Sequence, residues 1–107
     1  MDDYFLWLQN WYKHQCNGDW EHRCGIHFNT LDRPGWSLSI NLEDTELAHG
    51  FFEKTHLVRS QDDWLECFVK ENKFEARCGL ANLKEVLQIF HDWSVLLGNL
   101  RTTQIGN

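Results

Sequence analysis

The sequence predicts an α+β fold: an antiparallel five-stranded meander sheet with an N-terminal and a C-terminal helix packed on one face. Apolar residues recur with a helical period at both ends of the chain and alternate with polar residues through its middle. Short turn-forming segments separate the alternating stretches, and short turns join antiparallel neighbours. The sheet needs cover on one face, which the two amphipathic helices can supply. At 107 residues we expect one domain, 1–107, with an ordered core over about residues 4–98.

The first helix is predicted over residues 3–15. Tyr4, Trp7, Leu8 and Trp11 are spaced i, i+3, i+4 and i+7, which places them on one apolar stripe. An aspartate at position 2 or 3 can cap this helix, because its carboxylate accepts hydrogen bonds from the free N–H groups of the first turn.

The last helix is predicted to begin after Asn82, an N-cap residue with Glu85 as its reciprocal partner three positions on. It should end at Gly98, since a Gly-Asn pair stops a helix, and residues 99–107 should form a frayed tail. Its apolar face consists of Leu83, Val86, Leu87, Phe90, Trp93 and Leu97.

Residues 20–31 and 36–42 are predicted to form the first two strands. Cys24, Ile26 and Phe28 alternate with polar residues in the first, and residues 36–42 show the cleanest alternation in the chain. In the turn between them, Pro34 fixes φ at the second position and Gly35 should supply the positive φ of a type II turn. Residues 43–50 form an acidic connection.

Three further strands are predicted at residues 51–59, 64–70 and 73–78. Residues 60–63 form the turn before the fourth strand, and Glu71-Asn72 forms a tight reversal before the fifth. The predicted order is therefore α-β-β-β-β-β-α, with the second face of the sheet open to water or to a partner.

The charge balance narrows the classes of partner. The chain has 10 basic and 16 acidic residues, a net charge of −6. An acidic surface repels phosphate backbones, so nucleic acid is not expected, whereas a basic protein partner is favoured. The chain opens acidic and has no apolar run near the roughly 20 residues of a membrane span, so we expect no signal peptide, no membrane contact and a cytoplasmic location.

A small metal- or thiol-dependent enzyme is the alternative reading. His14, Cys16, His22 and Cys24 lie close together in the sequence, and Cys16 beside His14 is a loose candidate for a thiol nucleophile. None of the cysteines forms a C-x-x-C pair or has zinc-knuckle spacing, and without an export signal the thiols should be reduced. We therefore expect no catalytic residue, no cofactor and no metal ion.

Three of the six tryptophans lie beside turns among acidic residues, which favours a protein-binding surface. Trp20, Trp36 and Trp64 each start a predicted strand, and an indole supplies large contact area at low entropic cost. These rings could instead close the ends of the core, with each indole N–H bonded to a loop carbonyl. The candidate binding residues are Asp19, Trp20, Glu21, His22, Asp32, Trp36, Asp62, Asp63 and Trp64.

Many of these positions belong to a pattern that extends along most of the chain. It comprises Trp11-Tyr12, Cys16, Gly18-Asp19-Trp20-Glu21-His22, Gly25-Ile26, Thr30-Leu31-Asp32, Pro34-Gly35-Trp36, Asp62-Asp63-Trp64 and Asn82-Leu83. With these residues the chain resembles the bacterial immunity protein 53 family over roughly residues 4–95. Two departures are mild: Arg33 stands where that turn would be expected to have Asn, and residues 76–78 are less typical.

The resemblance implies a cytoplasmic immunity protein that protects its bacterial producer from a cognate toxin of a polymorphic toxin system. Such toxin–antitoxin inhibitors bind the toxin and block its active site or its substrate path. The resemblance supplies no catalytic residue. An acidic inhibitor suits a nuclease toxin, because carboxylates can occupy a groove built for phosphates. A homodimer through the open sheet face or edge is also compatible with the sequence.

Overall fold

A computed structural model describes the backbone of residues 3–105 and the side chains of residues 3–98. Five strands form one antiparallel sheet in the order β1-β2-β5-β4-β3. The elements in chain order are α1 (Tyr4–Gln15), α2 (Trp20–Arg23), β1 (Ile26–Leu31), β2 (Gly35–Asn41), β3 (Thr55–Val58), β4 (Trp64–Lys70), β5 (Lys73–Gly79) and α3 (Leu83–Ile105).

The predicted α+β class is confirmed, with a five-stranded antiparallel sheet and a helix at each end of the chain. Trp11 of α1 meets Phe90 of α3 edge to face at 5.3 Å between ring centroids, and Phe90 lies 5.0 Å from Phe74 of β5. Both long helices therefore pack on the sheet face that presents Phe74. That face also carries the buried Leu38, Ile40 and other core side chains of β2, β4 and β5.

The strand order differs from a simple meander at one connection. Strand β2 pairs with β5 and not with β3, which lies at the far edge of the sheet. Residues 42–54 make this crossing possible, because Leu47 is fully buried and Phe52 packs against Phe74 and Trp93. A connection that long can cross the end of the sheet, after which β3, β4 and β5 return as a three-stranded meander.

The predicted first strand, residues 20–31, is wrong in its first half. Residues 20–23 form the short helix α2, and the strand begins only at Ile26. The side-chain Oδ1 of Asn17 accepts hydrogen bonds from the backbone N–H groups of Asp19 and Trp20 and thereby starts the turn. Gly25, at φ +89°, then redirects the chain into β1.

Two other predicted boundaries and one predicted turn type also need correction. The third strand starts at Thr55 and not at residue 51, because the carbonyl of Phe51 accepts the indole N–H of Trp93. Helix α3 continues past Gly98 to Ile105, since Gly98 does not take the left-handed conformation that ends a helix. Gly35 likewise lacks positive φ, so the turn before it is not the predicted type II turn.

The reversal at Glu71-Asn72 is confirmed, and its geometry is that of a two-residue hairpin. Both residues have positive φ, 52° and 61°, between the paired Lys70 and Lys73. The second face of the sheet carries mainly polar side chains, including Ser37, Ser39, Glu66 and Arg77. Within the described ranges, no helix is long and apolar enough to cross a membrane.

Candidate functional site

The candidate binding residues fall into two groups at opposite ends of the sheet. The Trp20 end comprises residues 17–25, 42–46 and 71–72, and the Trp64 end comprises residues 32–34, 59–63 and 80–82. Strand β1 has six residues, so the two ends lie roughly 20 Å apart. They form two separate surfaces, and the candidate residues do not make one site.

Trp20 is a core residue and not a surface anchor. Its side chain is 1% exposed, and its ring packs edge to face on Trp11. Its indole N–H donates to the carbonyl of Glu43 at 2.8 Å, which is the core-closing arrangement considered above. A side chain this buried cannot contact a partner while the fold is intact.

Asp19 and Glu21, the two candidate carboxylates of the Trp20 end, are bound within the chain. Arg23 pairs with Asp19 at 2.8 Å and with Asp44 at 2.8 Å. The hydrogen bonds to Asp19 and then to Asp44 raise the pKa of the Arg23 guanidinium. Glu21 accepts the backbone N–H groups of Asn17 and Gly18 at 3.0 and 2.7 Å. A hydrogen bond from its own backbone N–H, and then these two, lower the pKa of Glu21.

Among residues 3–98, no hydrogen bond or ion pair joins the four residues of the alternative enzyme, His14, Cys16, His22 and Cys24. Burial raises the pKa of the Cys24 thiol, and the thiol of Cys16 donates to the carbonyl of Tyr12. Neither thiol has a hydrogen bond to His14 or His22 within the described part of the chain. No group of three or more His, Cys, Asp or Glu side chains converges there to hold a metal ion.

The Trp64 end contains a cavity of about 770 Å³. The β1–β2 turn bounds it on one side and the β3–β4 turn on the other, with the end of β5 between them. In this sheet order the two turns are three strand spacings apart, roughly 14 Å. The lining residues are Arg33, Pro34, Gln61, Asp62, Trp64 and Leu80.

An ion-pair network holds the β3–β4 side of this cavity in place. Arg59 binds Asp63 through both Nε and Nη2, at 2.9 to 3.1 Å, and also pairs with Glu85 of α3. The guanidinium therefore lowers the pKa of both carboxyl groups. Asp63 is thus engaged within the chain, unlike Asp62 beside it.

Asn82 connects this network to β4. The side chain is 4% exposed; its Nδ2 donates to Asp63 at 2.8 Å and to Glu85 at 3.3 Å, and its Oδ1 accepts the backbone N–H of Trp64 at 3.3 Å. Asn82 does precede α3, as predicted. The predicted capping box does not form, because the backbone N–H of Asn82 donates to the carbonyl of Gly79 and not to Glu85. Instead the side-chain Nδ2 of Asn82 donates to Glu85.

Trp36 and two glycines complete the frame of the cavity. Trp36 is half-buried and donates its indole N–H to the carbonyl of Leu80 at 3.1 Å, which fixes the segment after β5. A Cβ at Gly79 would lie 2.5 Å from the carbonyl oxygen of Asp62, and one at Gly35 would overlap the carbonyl oxygen of Cys78. Both glycines are needed for close backbone approach.

Sequence reasoning missed several residues of this cavity. Arg33, Pro34, Gln61 and Leu80 were not among the candidates, although the first two lie within the turn that was singled out. A signal was present for Leu80, an apolar residue two positions before the predicted helix cap Asn82. Its 62% exposure could not be foreseen, since it depends on where β5 ends.

The family comparison agrees with the resemblance seen in the sequence. The family model described as Immunity protein 53 matches residues 5–95. The chain belongs to the immunity protein 53 family. No curated protein and no solved structure matches it.

The part of the chain that matches the immunity protein 53 family includes both ends of the sheet. It contains the buried Trp20, the network around Arg59 and every residue that lines the cavity. Arg33 of the β1–β2 turn is one of these lining residues.

Proposed function

We propose that this member of the immunity protein 53 family binds and neutralises a cognate toxin of a bacterial polymorphic toxin system, without turnover. Family membership is the observation that carries the proposal, because it covers most of the chain. The net charge of −6 supports a basic toxin surface, such as the substrate groove of a nuclease. Binding there would exclude the toxin's substrate and protect the producing cell.

We place the contact at the Trp64 end. Asp32 and Asp62 are exposed and have no hydrogen bond or ion pair among the described side chains, so they are available to a basic partner. Trp64 lines the cavity, and Trp36 supports it from the core side. Asp63 serves the contact indirectly, because its carboxylate fixes Arg59 and Asn82.

The Trp20 end offers a toxin fewer available side chains than the Trp64 end does. Asp19 and Glu21 are satisfied by Arg23 and by backbone N–H groups, and Trp20 is buried. His22 is exposed and remains available as a hydrogen-bonding group on this end. We therefore expect substitutions here to affect stability more than binding.

The first test is protection and capture. The toxin domain encoded beside this gene should be lethal or growth-inhibiting when expressed alone, and co-expression of the immunity protein should restore growth. The two proteins should co-purify with a one-to-one mass in light scattering. Growth inhibition that this chain does not relieve, with no complex in vitro, would refute the proposed function.

Charge reversal tests the surface itself. Asp62→Lys should slow association with the toxin at low salt and weaken its salt dependence, because steering depends on opposite fields. Glu71→Lys is the matched control: it makes the same charge change at the hairpin of the Trp20 end. Equal association rates for the two variants would remove the Trp64 end from the interface.

A further inference from the structure

We propose that the cavity at the Trp64 end is a binding site for an arginine side chain, with Trp64 and Asp62 holding the guanidinium and Arg33 holding an acceptor on the same segment. The inference rests on the proposed function, since the arginine would belong to the toxin. It goes beyond that function by naming the group that the cavity receives.

The charges that line the cavity are separate and unpaired. Arg33 lies on the β1–β2 turn and Asp62 on the β3–β4 turn, on either side of the end of β5. Neither makes an ion pair with the other, or with any side chain among residues 3–98. A ligand that complements both walls must therefore carry a cation near Asp62 and an oxygen acceptor near Arg33.

Trp64 supplies the aromatic surface beside Asp62. Its side chain is half-buried and lies on the sheet face opposite the helices, since its neighbour Leu65 is fully buried in the core. Trp11, Trp20, Trp36 and Trp93 donate their indole N–H groups within the chain. That of Trp64 has no acceptor among residues 3–98, so this N–H group is available to a ligand, on a residue that lines the cavity.

The site is held in shape before any ligand arrives. The backbone N–H of Trp64 is bonded to Asn82, and the turn that carries Asp62 is closed by hydrogen bonds between Ser60 and Asp63. Arg59 pairs with both Asp63 and Glu85 and leaves Asp62 without a partner among residues 3–98. Little ordering of these groups is needed on binding, which favours affinity.

Arginine fits this arrangement better than lysine does. Its planar guanidinium can stack on an indole while donating two parallel hydrogen bonds to one carboxylate. A lysine ammonium is more strongly hydrated and offers no such fork. Pro34 and Leu80 give the walls an apolar surface against which the methylene stem of an arginine can pack.

N-acetyl-L-arginine is the probe, because it has a guanidinium and a carboxylate but no ammonium group. We expect it to shift the indole N–H resonance of Trp64 in two-dimensional NMR, with a dissociation constant on the order of millimolar, as suits one stacked ion pair. The Trp64 signal is identified by its loss in Trp64→Phe. N-acetyl-citrulline, the neutral isostere, and N-acetyl-lysine should each bind at least fivefold more weakly.

Two variants separate the two walls. Asp62→Asn should weaken N-acetyl-L-arginine at least fivefold and remove its preference over the citrulline compound. Wild type should prefer N-acetyl-L-arginine to N-acetyl-L-argininamide, in which an uncharged amide replaces the carboxylate. Arg33→Gln should remove this preference and still bind the argininamide through its guanidinium. Melting temperatures equal to that of the wild-type protein, measured by circular dichroism, would show that both variants are folded.

The comparison of probes on the wild-type protein decides the inference without any variant. Equal binding of the arginine, citrulline and lysine compounds would overturn it, as would shifts confined to residues outside the cavity. Tighter binding of N-acetyl-aspartate amide through Arg33 would also overturn it. Toxin neutralisation that persists after such a result would leave the proposed function intact and remove only the arginine site.

Discussion

Asn82 offers the sharpest test of how the Trp64 end is held together. Its buried side chain makes three hydrogen bonds, two of them to carboxylates. Hydrogen bonds to charged groups contribute about 1.5–3 kcal/mol each, and a donor left without an acceptor costs about 1–3 kcal/mol. Since Asp63 and Glu85 keep Arg59 as a partner, we take the lower part of this range and expect Asn82→Ala to lose about 2–4 kcal/mol of unfolding free energy.

Asn82→Asp separates hydrogen bonding from charge. The variant keeps an acceptor for the N–H of Trp64 but places a third carboxylate beside those of Asp63 and Glu85. Like charges raise the pKa of such a group, so the folded state binds a proton more tightly than the unfolded chain. Its stability relative to wild type is therefore lowest near neutral pH and recovers as the pH falls through the raised pKa.

Urea unfolding followed by tryptophan fluorescence measures both variants, at about pH 7 and about pH 5, a range in which Asn82→Ala should show a constant deficit. The expected loss corresponds to a melting temperature lower by roughly 8–30 °C. Gln88→Ala, at an exposed position of the same helix, is the control and should stay within about 0.5 kcal/mol of wild type. An Asn82→Ala variant as stable as this control, or an Asn82→Asp deficit that does not change with pH, would refute the reasoning.

Three further predictions concern packing, thiols and acid stability. Gly79→Ala should destabilise the domain by about 1–3 kcal/mol, because its Cβ would meet the carbonyl oxygen of Asp62. Gly98→Ala in α3, where a Cβ would meet nothing within 4 Å, should stabilise the domain by about 0.5–1 kcal/mol. Denaturant midpoints of the two variants that move in the same direction would contradict this. Cys67 and Cys78 should not react with a disulfide reagent in the native state, since burial raises the pKa of these thiols to about 12 and about 11. All four cysteines should react in urea, and rapid labelling of Cys67 or Cys78 without urea would contradict the prediction. The pKa values of Asp63 and Glu85 are lowered in the folded state, so the two carboxylates stabilise the fold above their unfolded pKa values, roughly 4, and this stability is lost as the pH falls through the folded values. Arg59→Gln should therefore make the melting temperature fall less steeply at acid pH. An unchanged slope below about pH 5 would exclude this network as the cause of acid unfolding.

The helices and most strands could be predicted because their signals are local. The stripe of Tyr4, Leu8 and Trp11 is buried as its spacing predicts, and the alternation in residues 36–42 places Leu38 and Ile40 in the core. Short-range turn chemistry was also sufficient for the reversal at Glu71-Asn72. In each case residues within a few positions of one another determine the local structure.

The predictions failed where distant residues decide the outcome. Trp20 was assigned to a strand, but its side chain is buried against Trp11, and its indole N–H donates to the carbonyl of Glu43, 23 residues further along the chain. Gly35 was assigned a left-handed φ, whereas the requirement for glycine comes from Cys78, which lies across the sheet. The pairing of β2 with β5 depends in the same way on how residues 42–54 pack, which no local pattern encodes.

The same distinction decides which carboxylates can contact a partner. In the sequence, Asp19, Glu21, Asp62 and Asp63 are equivalent acidic residues beside tryptophans. In the structure, three of them are bound to Arg23, to backbone N–H groups or to Arg59, and each such bond would have to be broken or shared for a partner to use that charge. Formal net charge therefore overstates the charge available for recognition. A surface that attracts a basic protein is better identified by its unpaired carboxylates than by its acidic residues. Of the four carboxylates compared here, that criterion leaves Asp62, which lies beside an indole whose N–H group has no acceptor among the described residues.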